Sequence, residues 1–505
     1  MNAPTEPFFD SALLGGSSPL DRTVFRAVSE AAQELGQPVW VVGGFVRDLL
    51  LQRDWPSDID FVTLGSGIEL AQTAADRLGQ RGKVSVFKNF GTAMFKADGF
   101  ELEFVGARKE SYRSDSRKPT VEDGTLEDDQ NRRDFTINAL AVSLNPDDYG
   151  KLIDPFGGLQ DLAQRRLRTP LDPDVTFSDD PLRMMRAVRF SATLDFDIDP
   201  EALASIRRNA ERLQIVSAER ILVEFDKVMM TPQPGSGLAR FESTGLLAQF
   251  FPELIALKGV EEIEGQHHKD NFYHTLEVVD NLSLRSEDLW MRWAALLHDI
   301  GKPVVKRFDR KIGWTFHNHE FVGAKMVPKI FSRLKLPLGE PMKRVQKMVL
   351  LSSRPVVLSQ DEVTDSAVRR LLFEAGDDID RLMMLCECDI TTKNPRRKAK
   401  YLSNFELVRQ KLKEVEEADR LRNWQPPIDG AHIMRVFNLP PGPEVGQIKT
   451  AIREAILDGV LRNDPVEAHR FMLEKGRELG LTPVERMEPP ALPHSASPTD
   501  DTPRL

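Results

Sequence analysis

Residues Val41–Thr63 read VVGGFVRDLLLQRDWPSDIDFVT. The apolar run Val39–Val42 has the length and branching of a buried strand, and Gly43–Gly44 breaks it. Phe45 to Leu51 reads as a helix start, and Asp60 to Thr63 as a second strand. Strand, two glycines and then a helix is a layout that lets a phosphate approach the backbone. Glycine has no Cβ in the way, and a helix N-terminus presents free N–H groups at its positive end. Asp58 and Asp60 follow. At i and i+2 on a strand they point to one face, where two carboxylates repel and raise each other's pKa. A hard divalent cation relieves that repulsion, and Mg²⁺ favours one or two carboxylates together with substrate phosphates. Two such ions can hold an attacking hydroxyl and a leaving pyrophosphate in line. A lone glycine pair is usually a tight turn and a lone Asp-x-Asp a solvated one; the succession of the two carries the signal.

Outward from this stretch, Asp21 to Gly36 has helical periodicity, while Lys83–Phe87, Thr92–Lys96 and Phe100–Ala107 read as sheet strands. Ser111 to Asp129 is polar and unpatterned and reads as a long functional loop, with Arg113, Arg117 and Lys118 as candidate contacts to triphosphate or primer. From Leu162 onward almost everything reads as helix. The expected fold is α+β: a small mixed-sheet head over 21–150, an all-helical neck over 151–260, a body over 261–400 and a helical tail over 401–485. Residues 1–20 and 486–505 are rich in Pro and Ser and are expected to be disordered.

The bulk numbers set limits. A chain of 505 residues implies several cores, and 41% hydrophobic with 29% charged residues is ordinary for a soluble protein. No apolar run is long enough to span a membrane, and no signal peptide is evident. The two cysteines, Cys386 and Cys388, read as buried small side chains on one helix and suit a reducing cytoplasm. A net charge of −10 disfavours general nucleic-acid binding, so an RNA partner requires local cation clusters. Candidates are Arg207, Arg208 and Arg212, and the run Arg396, Arg397, Lys398 and Lys400, each of which taken alone is as readily a solvated helix face.

Gly43, Gly44, Val46, Arg47, Asp48, Leu50 and Leu51, followed by Asp58 and Asp60, resemble the signature of the class II nucleotidyltransferases. These are the CCA-adding tRNA enzymes and bacterial poly(A) polymerases. Further segments in order also match: NRRDFTINALA (Asn131–Ala141), the Asp154, Pro155, Gly157 and Gly158 positions, and SDDPLRMMRAVRF (Ser178–Phe190). The resemblance spans about residues 35 to 230. It implies that Asp58 and Asp60 hold Mg²⁺, that Gly43, Gly44 and Arg47 face the nucleotide, and that Glu103 is a further strand acid. It also implies base reading by Asp180 and Arg183, with Arg133 and Arg186 beside them. At i and i+3 on a helix, Asp180 and Arg183 would share one face. Asp only accepts hydrogen bonds and Arg only donates them. Cytosine and adenine offer an amino donor beside a ring-nitrogen acceptor, whereas guanine and uracil offer the reverse. Such a pair would therefore admit C and A and reject G and U. Asp179 stands where the family usually has Glu, and Arg220, Glu224 and Lys227 read as packing and support.

Six of the nine histidines lie between 267 and 319. The ordered set His274, His298–Asp299 and Asp389 resembles the HD phosphohydrolases, which implies a divalent metal on those four residues. Imidazole with carboxylate suits a transition metal. His319 matches a position that helps hold a second ion in some relatives, and His267, His268 and His317 read as surface or supporting residues. The expected activity is CCA addition to tRNA from CTP and ATP. The alternatives are A-only addition or poly(A) synthesis, and phosphohydrolysis of RNA ends at the HD site. No protein partner is evident.

Overall fold

The computed structural model describes residues 20, 22–54, 57–88, 91–113, 116–263, 266–267, 270–360, 364–419 and 426–484. The chain forms two compact units, Met1–Ala256 and Leu257–Leu505.

In the first unit, helix α1 (Thr23–Leu35) buries Val24, Phe25, Val28 and Ala31, and Gly36 ends it in the left-handed region, φ 65°. Strand β1 (Val39–Val42) leads into helix α2 (Gly44–Leu50), then strand β2 (Asp58–Thr63) and helix α3 (Gly67–Arg77). Strands β3 (Ser85–Phe87), β4 (Thr92–Ala97) and β5 (Phe100–Gly106) follow. With β8 (Ala141–Ser143) and β9 (Leu152–Ile153) they make one seven-stranded sheet of order β3-β4-β5-β2-β1-β8-β9. β2 and β5 run parallel, with Asp60 paired to Glu103, while β1 and β2 run antiparallel, with Val42 paired to Asp60.

Alternation along these strands explains both faces of the sheet. Phe61, Phe95 and Phe104 point one way and stack, with ring centroids 4.9 and 5.5 Å apart, and Phe25 of α1 and Phe45 of α2 continue the aromatic core. The opposite face carries Trp40, Val42, Val62 and Ala141, and in the same alternation Asp58, Asp60 and Glu103. Aromatic packing on one face thus holds the carboxylates on the other.

Between β5 and β8 lie β6 (Arg108–Arg113), β7 (Ser116–Asp123) and helix α4 (Leu126–Asn131). The long loop expected over Ser111–Asp129 is therefore a two-stranded antiparallel ribbon followed by a capped helix. The ribbon pairs only with itself, outside the main sheet, so it needs no alternating apolar face and leaves no such signal. The head boundary expected at 150 falls inside the sheet, because β9 pairs with β8.

Helices α5 (Gly158–Ala163), α6 (Pro173–Asp179), α7 (Leu182–Leu194), α8 (Pro200–Asn209), α9 (Ala218–Met229), α10 (Pro234–Ser243), α11 (Leu246–Phe250) and α12 (Pro252–Ile255) complete this unit. Asp-Pro dipeptides open α6 and α8: Asp172 and Asp199 accept backbone N–H bonds as N-caps, and proline takes the first helical position.

The second unit is mostly helical. It contains α13 (Asn271–Ser283), α14 (Leu289–Leu297), α15 (Lys302–Val305), α16 (His319–Leu334), α17 (Glu340–Leu351), α18 (Arg354–Gln360), α19 (Asp365–Ala375) and α20 (Ile379–Cys388). Then come α21 (Pro395–Asp419), α22 (Gly430–Phe437), α23 (Pro443–Leu457) and α24 (Pro465–Glu478). The body–tail boundary expected at 400 lies within α21, one continuous helix. Pro328 inside α16 cannot donate to the carbonyl of Ala324; Gln346 Nε2 of α17 donates to it instead at 2.9 Å. Cys386 and Cys388 are free and buried, as expected. No helix among the described residues is long and apolar enough to cross a membrane.

Candidate active site and metal cluster

A cavity of about 550 Å³ in the first unit is lined by Gly43, Gly44, Arg47, Asp58, Asp60, Glu103, Arg133, Asp180, Arg183 and Arg186. These ten residues, all singled out from sequence, thus face one space. Gly43 makes the close packing workable. Its φ of 77° and ψ of −137° are open to glycine, and a Cβ there would lie 3.0 Å from Arg133 Nη1 and 3.3 Å from Asp60 Oδ2. Burial raises the Asp60 pKa and Arg133 opposes it, with Asp58 adding to the rise. Burial also raises Glu103, followed by repulsion from Asp60 and Asp58. Three oxygen-donor side chains on one sheet face, two of them destabilised as anions, fit a hard divalent cation.

The cations in the cavity are held by carboxylate and amide partners, Asp48, Asp134 and Asn138 from the quoted motifs and Asp129 from just before one of them. Asp129, fully buried, binds Arg133 through Nε at 3.0 Å and Nη2 at 2.9 Å, and also pairs with Arg132. Arg133 and Arg132 hold the Asp129 carboxyl below its usual range against the cost of burial. Arg47 donates to both oxygens of Asp48, and to Asn138 Oδ1 at 2.8 Å. Asn138 Nδ2 donates to Asp134 Oδ1 at 2.9 Å, and Arg186 Nε to Asp134 Oδ2 at 2.6 Å. Against the cost of burial, Arg186 and Asn138 hold Asp134 at about 2. Arg47, Arg186 and Arg189 also surround the Phe190 ring at 5.0, 5.2 and 3.9 Å. Each Arg47 nitrogen has a protein partner, which makes it a brace of the site as well as a wall.

Asp180 and Arg183 do not share a helix. Asp180 is extended, φ −134° and ψ 101°, in the break between α6 and α7. Pro181 follows it, and the residue before proline is pushed out of the helical region. Asp180 Oδ1 accepts from the Leu182 N–H at 3.2 Å, and Oδ2 faces Arg220 Nη2 at 3.2 Å. Arg183 donates to the carbonyls of Thr176 at 3.1 Å and of Arg132. Sequence reasoning assigned Arg220 and Lys227 to packing, yet both line the cavity. Helical spacing on α9 placed them no closer to Asp180 than to the core, so only the fold reveals the contact. Of the other basic candidates, Arg208 pairs with Asp174, Arg207 donates to Ser243 O and Arg212 to Ser178 O.

In the second unit four helix ends converge. α13 carries His274, α14 runs into His298, α16 starts at His319 and α20 runs into Asp389. Ligand atoms of His274, His298 and Asp389 all lie within 4.8 Å of one another. Asp299 Oδ2 is 3.3 Å from His298 Nε2 and 3.7 Å from His274 Nε2, and Asp299 Oδ1 is 3.4 Å from His319 Nε2. His298 and His319 donate from Nδ1 to the carbonyls of Ala295 and Phe316, which aims Nε2 at the cluster, and His274 Nδ1 bonds Thr391 Oγ1 at 3.0 Å. His298 Nε2 is buried without a hydrogen-bond partner. Burial works against charge on that ring, but Asp299 and Asp389 push its pKa up to about 10, so the position attracts a cation or a proton. A buried imidazole nitrogen of this kind beside two carboxylates fits a transition-metal ion. Lys302 also reaches Asp299 Oδ2 at 2.6 Å, a contact not foreseen. Gly301 lets this loop meet α16: a Cβ there would lie 2.1 Å from the His319 carbonyl oxygen.

His317 is exposed, as are Arg396, Arg397, Lys398 and Lys400 on α21. His267, His268, Arg113, Arg117 and Lys118 fall outside the described residues or side chains.

Comparison with known proteins adds three domain matches: the poly A polymerase head domain over residues 39–168, a probable RNA- and SrmB-binding site of polymerase A over 195–257, and the HD domain over 271–394. The chain is 35% identical over 361 residues to an A-adding tRNA nucleotidyltransferase of Deinococcus radiodurans, covering 69% of this chain and 79% of that one. It is 31% identical over 452 residues to a CCA-adding enzyme of Streptococcus gordonii, covering 89% and 96%. A crystal structure of a tRNA nucleotidyltransferase with a primer tRNA and an incoming ATP analog superposes with a TM-score of 0.54 at 27% identity, covering 76% of this chain and 98% of that one.

Proposed function

The chain belongs to the family of CCA-adding tRNA nucleotidyltransferases and bacterial poly(A) polymerases, and from this we propose that it adds C, C and A to the 3′ end of tRNA. The observation that carries the reading is a single cavity lined both by Asp58, Asp60 and Glu103 and by Asp180 and Arg183. The tRNA 3′-hydroxyl attacks the α-phosphate of CTP or ATP, and pyrophosphate leaves. Two Mg²⁺ on Asp58 and Asp60 would lower the pKa of the hydroxyl and neutralise the leaving group. Gly43 and Gly44 leave the backbone open to the triphosphate, and Arg133 and Arg186, held by Asp129 and Asp134, set positive charge beside it. Asp180 accepts from the exocyclic amine of C or A, and Arg183 donates to the adjacent ring nitrogen. G or U would leave both groups unpaired, which can discriminate by roughly 10⁴. On the second unit, Arg396, Arg397, Lys398 and Lys400 contact tRNA phosphates.

A-only addition is the second reading, favoured by the A-adding Deinococcus relative. The HD cluster supports a further activity, hydrolysis of phosphate esters at RNA ends with a transition metal such as Mn²⁺ or Ni²⁺.

Incubating tRNA that lacks its CCA end with each nucleotide, singly and mixed, tests the proposal. Three additions in the order C, C, A and then a stop are expected. A single A added only to tRNA already ending in CC would instead establish A-only addition. Asp58→Ala with Asp60→Ala should reduce addition by at least about a hundredfold and spare any phosphatase activity.

A further inference from the structure

A second cavity, of about 560 Å³, lies within the second unit, and the cluster residues His274 and Asp389 form part of its wall. Tyr401 and Phe405 also line it, four residues apart on α21 and therefore on one face of that helix. Phe405 is buried, whereas Tyr401 remains 36% exposed, with ring surface available to a ligand. The turns before Tyr401 carry Arg396, Arg397, Lys398 and Lys400, and Lys393 lines the cavity itself. None of these five cations is in an ion pair among the described residues, in a chain of net charge −10. The first turn of α21 has no acid to neutralise them.

An open aromatic ring next to unpaired cations is how proteins hold single-stranded nucleic acid: the base stacks on the ring and the backbone phosphates follow the cations. A cluster fit for a divalent metal at the same cavity adds a seat for a terminal phosphate. We infer that this cavity receives the last nucleotide of a single-stranded RNA end, with its base on Tyr401, its terminal phosphate toward His274 and Asp389, and the preceding phosphates along Arg396–Lys400. The inference rests on the reading of the HD cluster as a metal site. It goes further in naming Tyr401 as the residue that recognises a nucleotide rather than a bare phosphate ester.

The test measures binding, not turnover. Full-length protein loaded with Mn²⁺ is titrated into a fluorescent six-nucleotide RNA carrying a 3′-phosphate, which cannot serve as a primer, and anisotropy is read. Tyr401→Ala is expected to weaken binding roughly tenfold or more, and Tyr401→Phe to bind like the parent, since the ring is kept. Replacing Arg396, Arg397, Lys398 and Lys400 with Ala should flatten the salt dependence of affinity. Equal affinity of the parent and Tyr401→Ala overturns the inference. Mn²⁺ uptake by each protein is followed by electron paramagnetic resonance with Asp58→Ala and Asp60→Ala also in place, so that only the second-unit cluster is read. A parent that takes up no Mn²⁺ brings down the metal reading and the inference with it. Normal uptake with Tyr401-independent RNA binding brings down the inference alone.

Discussion

Asp180 is where local geometry and proposed function meet most directly. Its Oδ1 accepts from the Leu182 N–H, and its Oδ2 pairs with Arg220, a contact that is partly open to solvent. An exposed pair of this kind contributes at most about 1 kcal/mol to stability. Arg220→Ala should therefore leave the melting temperature nearly unchanged. If Arg220 holds Asp180 in position for a base, the same change should lower selectivity for C and A over G and U in single-nucleotide incorporation. Asp180→Ala should lose that selectivity almost entirely. Unchanged selectivity in both variants would remove Asp180 from the base-reading role. The motif residues of this site were legible in sequence, while the long-range contacts among them were not: Arg47 reaches Asn138 and Arg220 reaches Asp180 only in the packed chain.

At the scale of elements, close approach decides what each segment can present. α15 and α16 meet at Gly301 and Gly323, which brings His319 to 3.4 Å from Asp299. Gly301→Ala would place a carbon against the His319 carbonyl oxygen, so the loop and helix must separate. Such overpacking costs about 1–3 kcal/mol, and the Mn²⁺ affinity of the cluster should fall with it. Gly323→Ala, whose nearest contacts are 3.1 to 3.4 Å, should be milder in both respects. Thermal melts and metal titration of the two variants check the order, and equal effects would contradict it. The elements themselves were read well where an apolar period was present, as in α1, β1, β4 and β5. The β6–β7 ribbon was missed because a strand pair outside the main sheet carries no core-facing alternation. The i, i+3 spacing of Asp180 and Arg183 predicts a shared helix, but Pro181 between them keeps Asp180 extended, outside both α6 and α7.

At the scale of the whole molecule, the second unit contains a titrating pair far from any motif. His432 on α22 and His469 on α24 are buried and share a hydrogen bond at 3.0 Å. Burial lowers the pKa of both rings; for His432 the neighbouring His469 and Arg435 add to this while Asp429 opposes it. The unfolded chain then takes up protons first, near pH 6.5. The stability these rings contribute is complete above that pH and declines as pH falls below it. His298 works with the opposite sign, because its raised pKa favours the folded state below pH 6.5 and loses effect as pH rises toward about 10. The informative measurement is thus the difference between parent and His469→Gln in calorimetric scans from pH 7.5 to 5. The variant should show the flatter decline, and parallel curves would rule the pair out as the source of acid sensitivity.

From the sequence alone came the α+β head, the helical remainder and the residues that the fold gathers at the two candidate sites. These depend on local period, on glycine and proline, and on the chemical types of side chains at fixed spacing. Tertiary structure decided which residues hold those groups in place. It set the register that puts Glu103 beside Asp60, the reach of Arg47 to Asn138 and the turn of Asp180 toward Arg220. The physical reason is that each of these is a contact between segments distant in the chain or a backbone turn set by packing, and no spacing in the sequence encodes a distance across the core.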